Sequence, residues 1–231
     1  MSKDISTPVI ALSGIGKSYK SGDARTTALA DINLTINRGE FVAIMGPSGS
    51  GKSTMMHILG LLDTPTTGTY LLDGKDVSKL SKNTQADLRN EHIGFVFQQF
   101  NLMPRTTVLE NLMLPTVYGN VPDRYERAEK LLKQVDLVDR ATHTGAQLSG
   151  GQIQRVAVAR SLMMNPSLIL ADEPTGNLDT KRSEEIMRLF RSINDSGATI
   201  VLITHEPEIA AFADRVITLK DGHITAERRS K

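Results

Sequence analysis

Residues 41–54 read FVAIMGPSGSGKST. The first five form a continuous apolar run, the length of a buried strand. The last nine fit GxxxxGK[ST], with Gly46, Gly51, Lys52 and Ser53 at its fixed positions. Beyond them Met55, Met56, Ile58, Leu59 and Leu62 recur at helical spacing, which predicts a helix over 52–62. Strand, glycine-rich loop and helix in that order make a phosphate cradle. Glycine lets backbone N–H groups turn inward and approach phosphate oxygens. The helix start adds free N–H groups and the positive end of its dipole. Gly46, Pro47, Ser48, Gly49, Ser50, Gly51, Lys52, Ser53 and Thr54 are therefore the expected contacts to a bound triphosphate. Lys52 is expected at the β- and γ-phosphates, and the Ser53 hydroxyl at Mg²⁺. Average residue usage produces the pattern by accident in about one chain in a hundred of this length, and the flanking strand and helix are independent support.

A second strand-like run, LILADE at 168–173, ends in two acids. In open parallel sheets ligands sit beyond the C-terminal strand ends. That places Asp172 beside the loop as a holder of Mg²⁺ through water, and Glu173 as a general base for an attacking water. A third string, LSGGQ at 148–152, carries a capping box, Ser149 with Gln152 three residues on. Each glycine in a helical first turn costs about 1 kcal/mol relative to alanine. Capping-box starts are common in ordinary helices, so the string alone also fits a plain helix start; the use of Gly150 and Gly151 together would be to clear side chains from a helix start that meets an anion.

Outward from these motifs, strands and helices alternate. Val9–Leu12, the alternating Ile32, Leu34 and Ile36, Leu168–Ala171 and Thr199–Thr204 read as strands. Asp73-Gly74 and Asp221-Gly222 read as hairpin turns. Helical spacing recurs at Ala128, Leu131, Leu132 and Val135, and at Ile186, Leu189, Phe190 and Ile193. The alternation argues for an α/β class with a mostly parallel sheet. From about 101 to 147 the pattern turns helical, as an insertion. The chain has 231 residues, 39% hydrophobic and 23% charged, enough to bury a sizeable core. Twenty-seven Lys and Arg against 26 Asp and Glu leave a net charge of +1, which does not favour a nucleic-acid partner. No cysteine is present, so disulfides, cysteine-ligated zinc and iron–sulfur clusters are excluded. No apolar run approaches the roughly 18–20 residues that cross a bilayer, and the N-terminus does not read as a signal peptide. The expectation is a soluble cytosolic chain whose membrane role, if any, runs through a partner.

LSGGQ lying between GPSGSGKST and LILADE resembles the ATP-binding cassette (ABC) transporter ATPases, over about residues 9 to 225. The resemblance implies a phosphate-loop NTPase core, an antiparallel β subdomain and an α-helical subdomain. It gives one domain over 1–231, with 1–97 and 166–231 forming the β subdomain and nucleotide core and 98–165 the helical subdomain. It implies that Tyr19 stacks on adenine, although an ordinary strand tyrosine remains an alternative. Gln98 would contact Mg²⁺ or the lytic water, with neighbouring Gln99 leaving the register open. Asp179 would cross a dimer interface, or cap the helix near Lys181. His205 would touch the γ-phosphate. Two cassettes would pair head to tail, with Ser149, Gly150, Gly151 and Gln152 of one closing the ATP site of the other.

The strings IGFVFQQFNL, LSGGQIQRVAVARSL and ADEPTGNLD are similar to one bacterial branch, that of lipoprotein release, macrolide and peptide export and a cell-division pair. Ile153 departs from the glutamine usual there. The branch implies a separate or fused inner-membrane permease that faces 98–147, a periplasmic adaptor reached through it, and a peripheral place on the inner face of the membrane. A regulatory role in envelope or cell-division machinery without transport is the alternative. A soluble cassette acting on DNA or ribosomes, or a switch that does not hydrolyse, fits the residues less well.

Overall fold

Phe41–Met45 forms β3, one of the two central strands of a six-stranded sheet, and every one of its first four residues is buried. The computed structural model describes residues 8–22, 24–119 and 121–229. Its elements run β1 (Pro8–Ser21), β2 (Ala24–Asn37), β3, α1 (Lys52–Leu59), β4 (Thr67–Leu72), β5 (Lys75–Asp76), α2 (Lys82–His92), β6 (Ile93–Phe97), α3 (Val108–Met113), α4 (Arg124–Gln134), α5 (Gly150–Ser161), β7 (Leu168–Asp172), α6 (Thr180–Asp195), β8 (Ile200–Ile203), α7 (Pro207–Ala210), β9 (Arg215–Lys220) and β10 (His223–Arg229). The larger sheet has the order β10-β9-β3-β8-β7-β6. All its pairs are parallel except the β9–β10 hairpin. The smaller sheet, β2-β1-β4-β5, is antiparallel.

The continuous apolar runs follow from burial on both faces. In β3, Val42 and Ile44 pack into one core with α1 and the small sheet, while Phe41 and Ala43 face the second core under α6. β7 and β8 divide their residues in the same way. A third apolar cluster joins α3, α4 and one side of α5 through Leu112, Leu131, Leu132, Val156 and Ala159. α5 also sends Val158 into the second core. The signature helix therefore bridges the helical cluster and the sheet.

Three elements depart from the sequence expectation. α1 stops at Leu59, because Gly60 caps it and Leu61 swings to φ 52, so Leu62 lies outside the helix and is 45% exposed. β1 extends to Ser21, well past the apolar Val9–Leu12, because its polar second half is held by the backbone ladder to β2 across several register shifts. α2 has no apolar stripe, only Gln85 buried, and starts on the Ser81 hydroxyl, which accepts from Thr84 N–H at 3.2 Å. Both hairpin turns form as expected, with Asp73 and Gly74 at φ 48 and 76, and Asp221 and Gly222 at φ 49 and 79.

Candidate functional site

The carboxyl ends of β3, β7 and β8 converge on one cavity of about 740 Å³. Pro47, Ser48, Gly49, Gly51, Lys52, Ser53 and Thr54 line it from the loop, and Asp172, Glu173, His205 and Gln98 from the sheet. Ala28 and Ile203 complete the lining. Those two apolar residues carry no motif and no sequence signal marks them. Gln98 lines the cavity and Gln99 does not.

The loop is shaped by what it cannot hold. A Cβ on Gly46 would sit 2.2 Å from the Leu219 carbonyl oxygen. Gly51 has φ 103, and a Cβ there would meet the Ala28 carbonyl at 2.6 Å. Ser50 is buried, and its hydroxyl has no hydrogen-bond partner among the described residues. Gly46 and Ser50 thus pack inward and set the loop's course, while the others face the cavity. The β9–β10 turn props the loop from behind: Gly222 N–H donates to the Ser50 carbonyl at 3.0 Å, and Ala30 N–H to the Gly222 carbonyl at 2.9 Å. The Lys52 ammonium donates to the carbonyls of Gly46 at 2.7 Å and Pro47 at 2.9 Å. It is thereby held at the cavity wall as a fixed positive charge.

The acids differ in environment. Burial, then the neighbouring Glu173 charge, raises the Asp172 pKa, against the pull of His57 and Lys52. A partly buried carboxylate of this kind gains from a cation beside it. Glu173 occupies the left-handed region at φ 46, a strain tolerated where surroundings over-determine it. Here Glu173 N–H donates to the Ile203 carbonyl at 2.8 Å, and Gly176 N–H donates to the Glu173 carbonyl at 3.1 Å. Buried Gln154 of α5 donates to the next carbonyl, Pro174, at 2.6 Å. The Glu173 Oε1 and His205 Nδ1 atoms are 2.7 Å apart. That hydrogen bond and the Glu173 charge raise the His205 pKa. Ser53 hydroxyl, Asp172 carboxylate and Gln98 amide are hard oxygen donors around one cavity, the donor chemistry that Mg²⁺ selects.

The signature residues lie elsewhere. Ser149 caps α5, accepting from Gln152 N–H at 3.4 Å, and its own N–H donates to Gln152 Oε1 at 2.9 Å. Ser149, Gly151 and Gln152 line a separate cavity of about 220 Å³ with Arg155, Arg182 and Glu185. None of them lines the phosphate-loop cavity. At Gly151 a Cβ would come 3.3 Å from Arg182 Cδ, a close approach that a small shift of the half-exposed arginine relieves. At Gly150 the nearest atom would be at 3.6 Å, ordinary contact, so no packing within the chain demands glycine there. Asp179 caps α6 through Arg182 N–H at 2.9 Å and pairs with its guanidinium at 3.2 Å. Tyr19 is 42% exposed and also lies outside the lining. Arg160 of α5 donates to the carbonyls of Phe100 at 3.1 Å and Asn101 at 2.6 Å, tying the signature helix to the segment after Gln98. Gln154 and Arg160 both lie outside the string LSGGQ, so that motif does not mark them.

A phosphate-loop NTPase with a bridging, serine-capped signature helix is the class that this fold and site define. The family model described as ABC transporter matches residues 29–176, and the chain belongs to that family. It is an ATP-binding subunit with ATPase activity. It is 53% identical to the ABC transporter ATP-binding protein YknY of Bacillus subtilis strain 168, over 94% of this chain and 95% of that one. It is 52% identical to the macrolide export ATP-binding/permease protein MacB of Bdellovibrio bacteriovorus, over 96% of this chain. It spans only about a third of the length of that relative, 34%. A solved dimeric ATP-binding cassette in a post-hydrolysis state, bound to ADP and Pi, superposes with a TM-score of 0.86 at 46% identity, covering 96% of this chain and 99% of that one. No helix among the described residues is long and apolar enough to cross a membrane.

Proposed function

We propose that two copies of this chain clamp two ATP molecules head to tail, and that hydrolysis releases the clamp to drive a membrane permease of the lipoprotein-release or macrolide-export type. One observation carries the reading: within a single chain the signature residues and the phosphate loop line different cavities, so the signature can complete an ATP site only on another copy. Tyr19 stacks on the base, and the loop with Lys52 binds the phosphates. Ser149, Gly150, Gly151 and Gln152 close the partner's γ-phosphate, and Asp179 lies at the interface beside them. Ser53, Asp172 and Gln98 would hold Mg²⁺, which when bound neutralises charge on the β- and γ-phosphate oxygens. Glu173 takes a proton from the attacking water, and His205 moves from Glu173 to the γ-phosphate. Charge-assisted contacts of Ser149 and His205 to that phosphate exist in the ATP state and vanish after its release, which supplies the differential affinity a switch requires.

Within the helical part, 98–147 faces the permease. A groove of about 640 Å³ at its border, where Leu114, Pro115 and Tyr118 meet Phe95 and Phe97 of β6 beside Arg89 and Asp87 of α2, offers a seat next to that region. The place of work is the cytoplasmic face of the inner membrane, with a periplasmic adaptor reached through the permease. The test is Ser149→Arg. ATP affinity of the isolated chain should be unchanged while phosphate release is lost. Unchanged turnover in that variant contradicts the trans site, and co-purification with a membrane protein of another architecture contradicts the permease type.

A further inference from the structure

Tyr19 sits in a network of its own. Its hydroxyl donates to Asp63 Oδ2 at 3.1 Å. The other carboxylate oxygen, Oδ1, accepts from Lys17 Nζ at 2.6 Å and from Thr64 N–H at 2.8 Å. The same ammonium donates to the Thr64 carbonyl at 2.7 Å and lies 5.0 Å from the centre of the Tyr19 ring. Lys17 is largely buried, with 11% of its side chain exposed, whereas Tyr19 keeps 42% of its surface. One ring face is therefore occupied by a cation and the ring tip is tied. A free surface tyrosine would have to lose the freedom of its side-chain torsions on stacking. Here that ordering precedes the ligand.

The anchor also has a fixed relation to the phosphates. Asp63 N–H and Leu62 N–H both donate to the His57 carbonyl in the last turn of α1, at 3.1 and 2.8 Å. The first turn of α1 is the phosphate loop's own exit, with Lys52 and Ser53. One short helix thus carries the triphosphate cradle at its start and the tyrosine anchor just past its end. On the strand side Tyr19 pairs with Thr26, and Ala28, two residues further along β2, lines the cavity.

We propose that Asp63, braced by Lys17 and Thr64, is a positioning residue that holds the Tyr19 ring as a preformed stacking platform for the base of the nucleotide. The proposal rests on the assignment of Tyr19 to the base. Partial burial works to raise the Asp63 pKa, but Lys17, the Thr64 N–H and the Tyr19 hydroxyl hold it below the usual carboxylate value. Asp63 is thus an acceptor throughout the neutral range.

The experiment compares Tyr19→Phe, Asp63→Asn, the double variant and Tyr19→Leu in steady-state ATP hydrolysis, with equilibrium binding of inorganic tripolyphosphate as a base-free probe. Losing the tip hydrogen bond in Tyr19→Phe, or exchanging its charged acceptor for a neutral amide in Asp63→Asn, should raise the KM for ATP about threefold to tenfold. kcat should hold, and the double variant should be no worse than Asp63→Asn alone, because both changes act on the same contact. Tripolyphosphate affinity should stay at the wild-type value in all four. Tyr19→Phe keeps the Asp63–Lys17 pair, so it remains decisive if Asp63→Asn folds poorly. A raised KM in Tyr19→Leu with unchanged KM in Tyr19→Phe and Asp63→Asn overturns the positioning role and leaves the base assignment standing. An unchanged KM in Tyr19→Leu overturns the base assignment and the proposal with it. Weakened tripolyphosphate binding in Asp63→Asn would show that the anchor acts on the phosphate loop, and contradicts the proposal.

Discussion

His205 is held against Glu173 in a geometry that sets the charge of its ring. The hydrogen bond of 2.7 Å and the carboxylate charge favour the imidazolium, so the His205 pKa stands above the ordinary histidine value. The pairing is fully present below that ordinary value and is lost as pH rises through the raised one. An NMR titration of His205 should therefore give a midpoint above that of a free histidine, returning toward it in Glu173→Gln. Equal midpoints in the two proteins would mean that the contact does not persist in solution. With Glu173 as the proposed base, Glu173→Gln should also slow phosphate release by about 10²–10⁴-fold, with ATP affinity kept, as single-turnover measurement would show. Lys52→Ala acts differently: the cavity loses its fixed cation, and ATP affinity itself should fall in a binding titration.

At the scale of elements, packing around glycines discriminates sharply. A Cβ on Gly94 of β6 would lie 2.2 Å from the Ser161 carbonyl oxygen of α5, so Gly94→Ala forces the signature helix off the sheet. Overpacking of this kind costs about 1–3 kcal/mol, and calorimetry should record a lower Tm. Gly145→Ala, where nothing lies within 4 Å, should leave the Tm unchanged. The same scale shows what the sequence could carry. β3, β7 and β8 were legible because burial on both faces makes each an unbroken apolar run. The hairpin turns were legible because Asp-Gly accepts positive φ at both positions. α2 was not, since its sequence KNTQADLRNEH has no apolar period and its start depends on a serine cap. The second half of β1 was not, since backbone pairing rather than side-chain alternation holds it. In the site, motifs exposed the loop, the acids and the signature. They could not reveal that Gly46 and Ser50 turn inward, or that Asp63 reaches Tyr19 across 44 residues of chain.

At the scale of the molecule, the α5 helix joins two sites. Its serine-capped start lies in one cavity, while Gln154 and Arg160 hold the backbone beside Glu173 and Gln98 in the other. In the proposed pairing, a copy that engages its partner's nucleotide through Ser149 would pull on its own Glu173 turn through these hydrogen bonds. Gln154→Leu should break that link, lowering turnover while the affinity of the dimer for ATP is kept, as paired kinetic and scattering measurements would show. The central claim is that ATP is the adhesive between two copies. It is tested most directly by light scattering of Glu173→Gln at a fixed concentration, with and without ATP and Mg²⁺. The account expects the mass of a single chain without nucleotide and twice that mass, stably held, with it. A particle that stays at the mass of one chain under saturating ATP would contradict it.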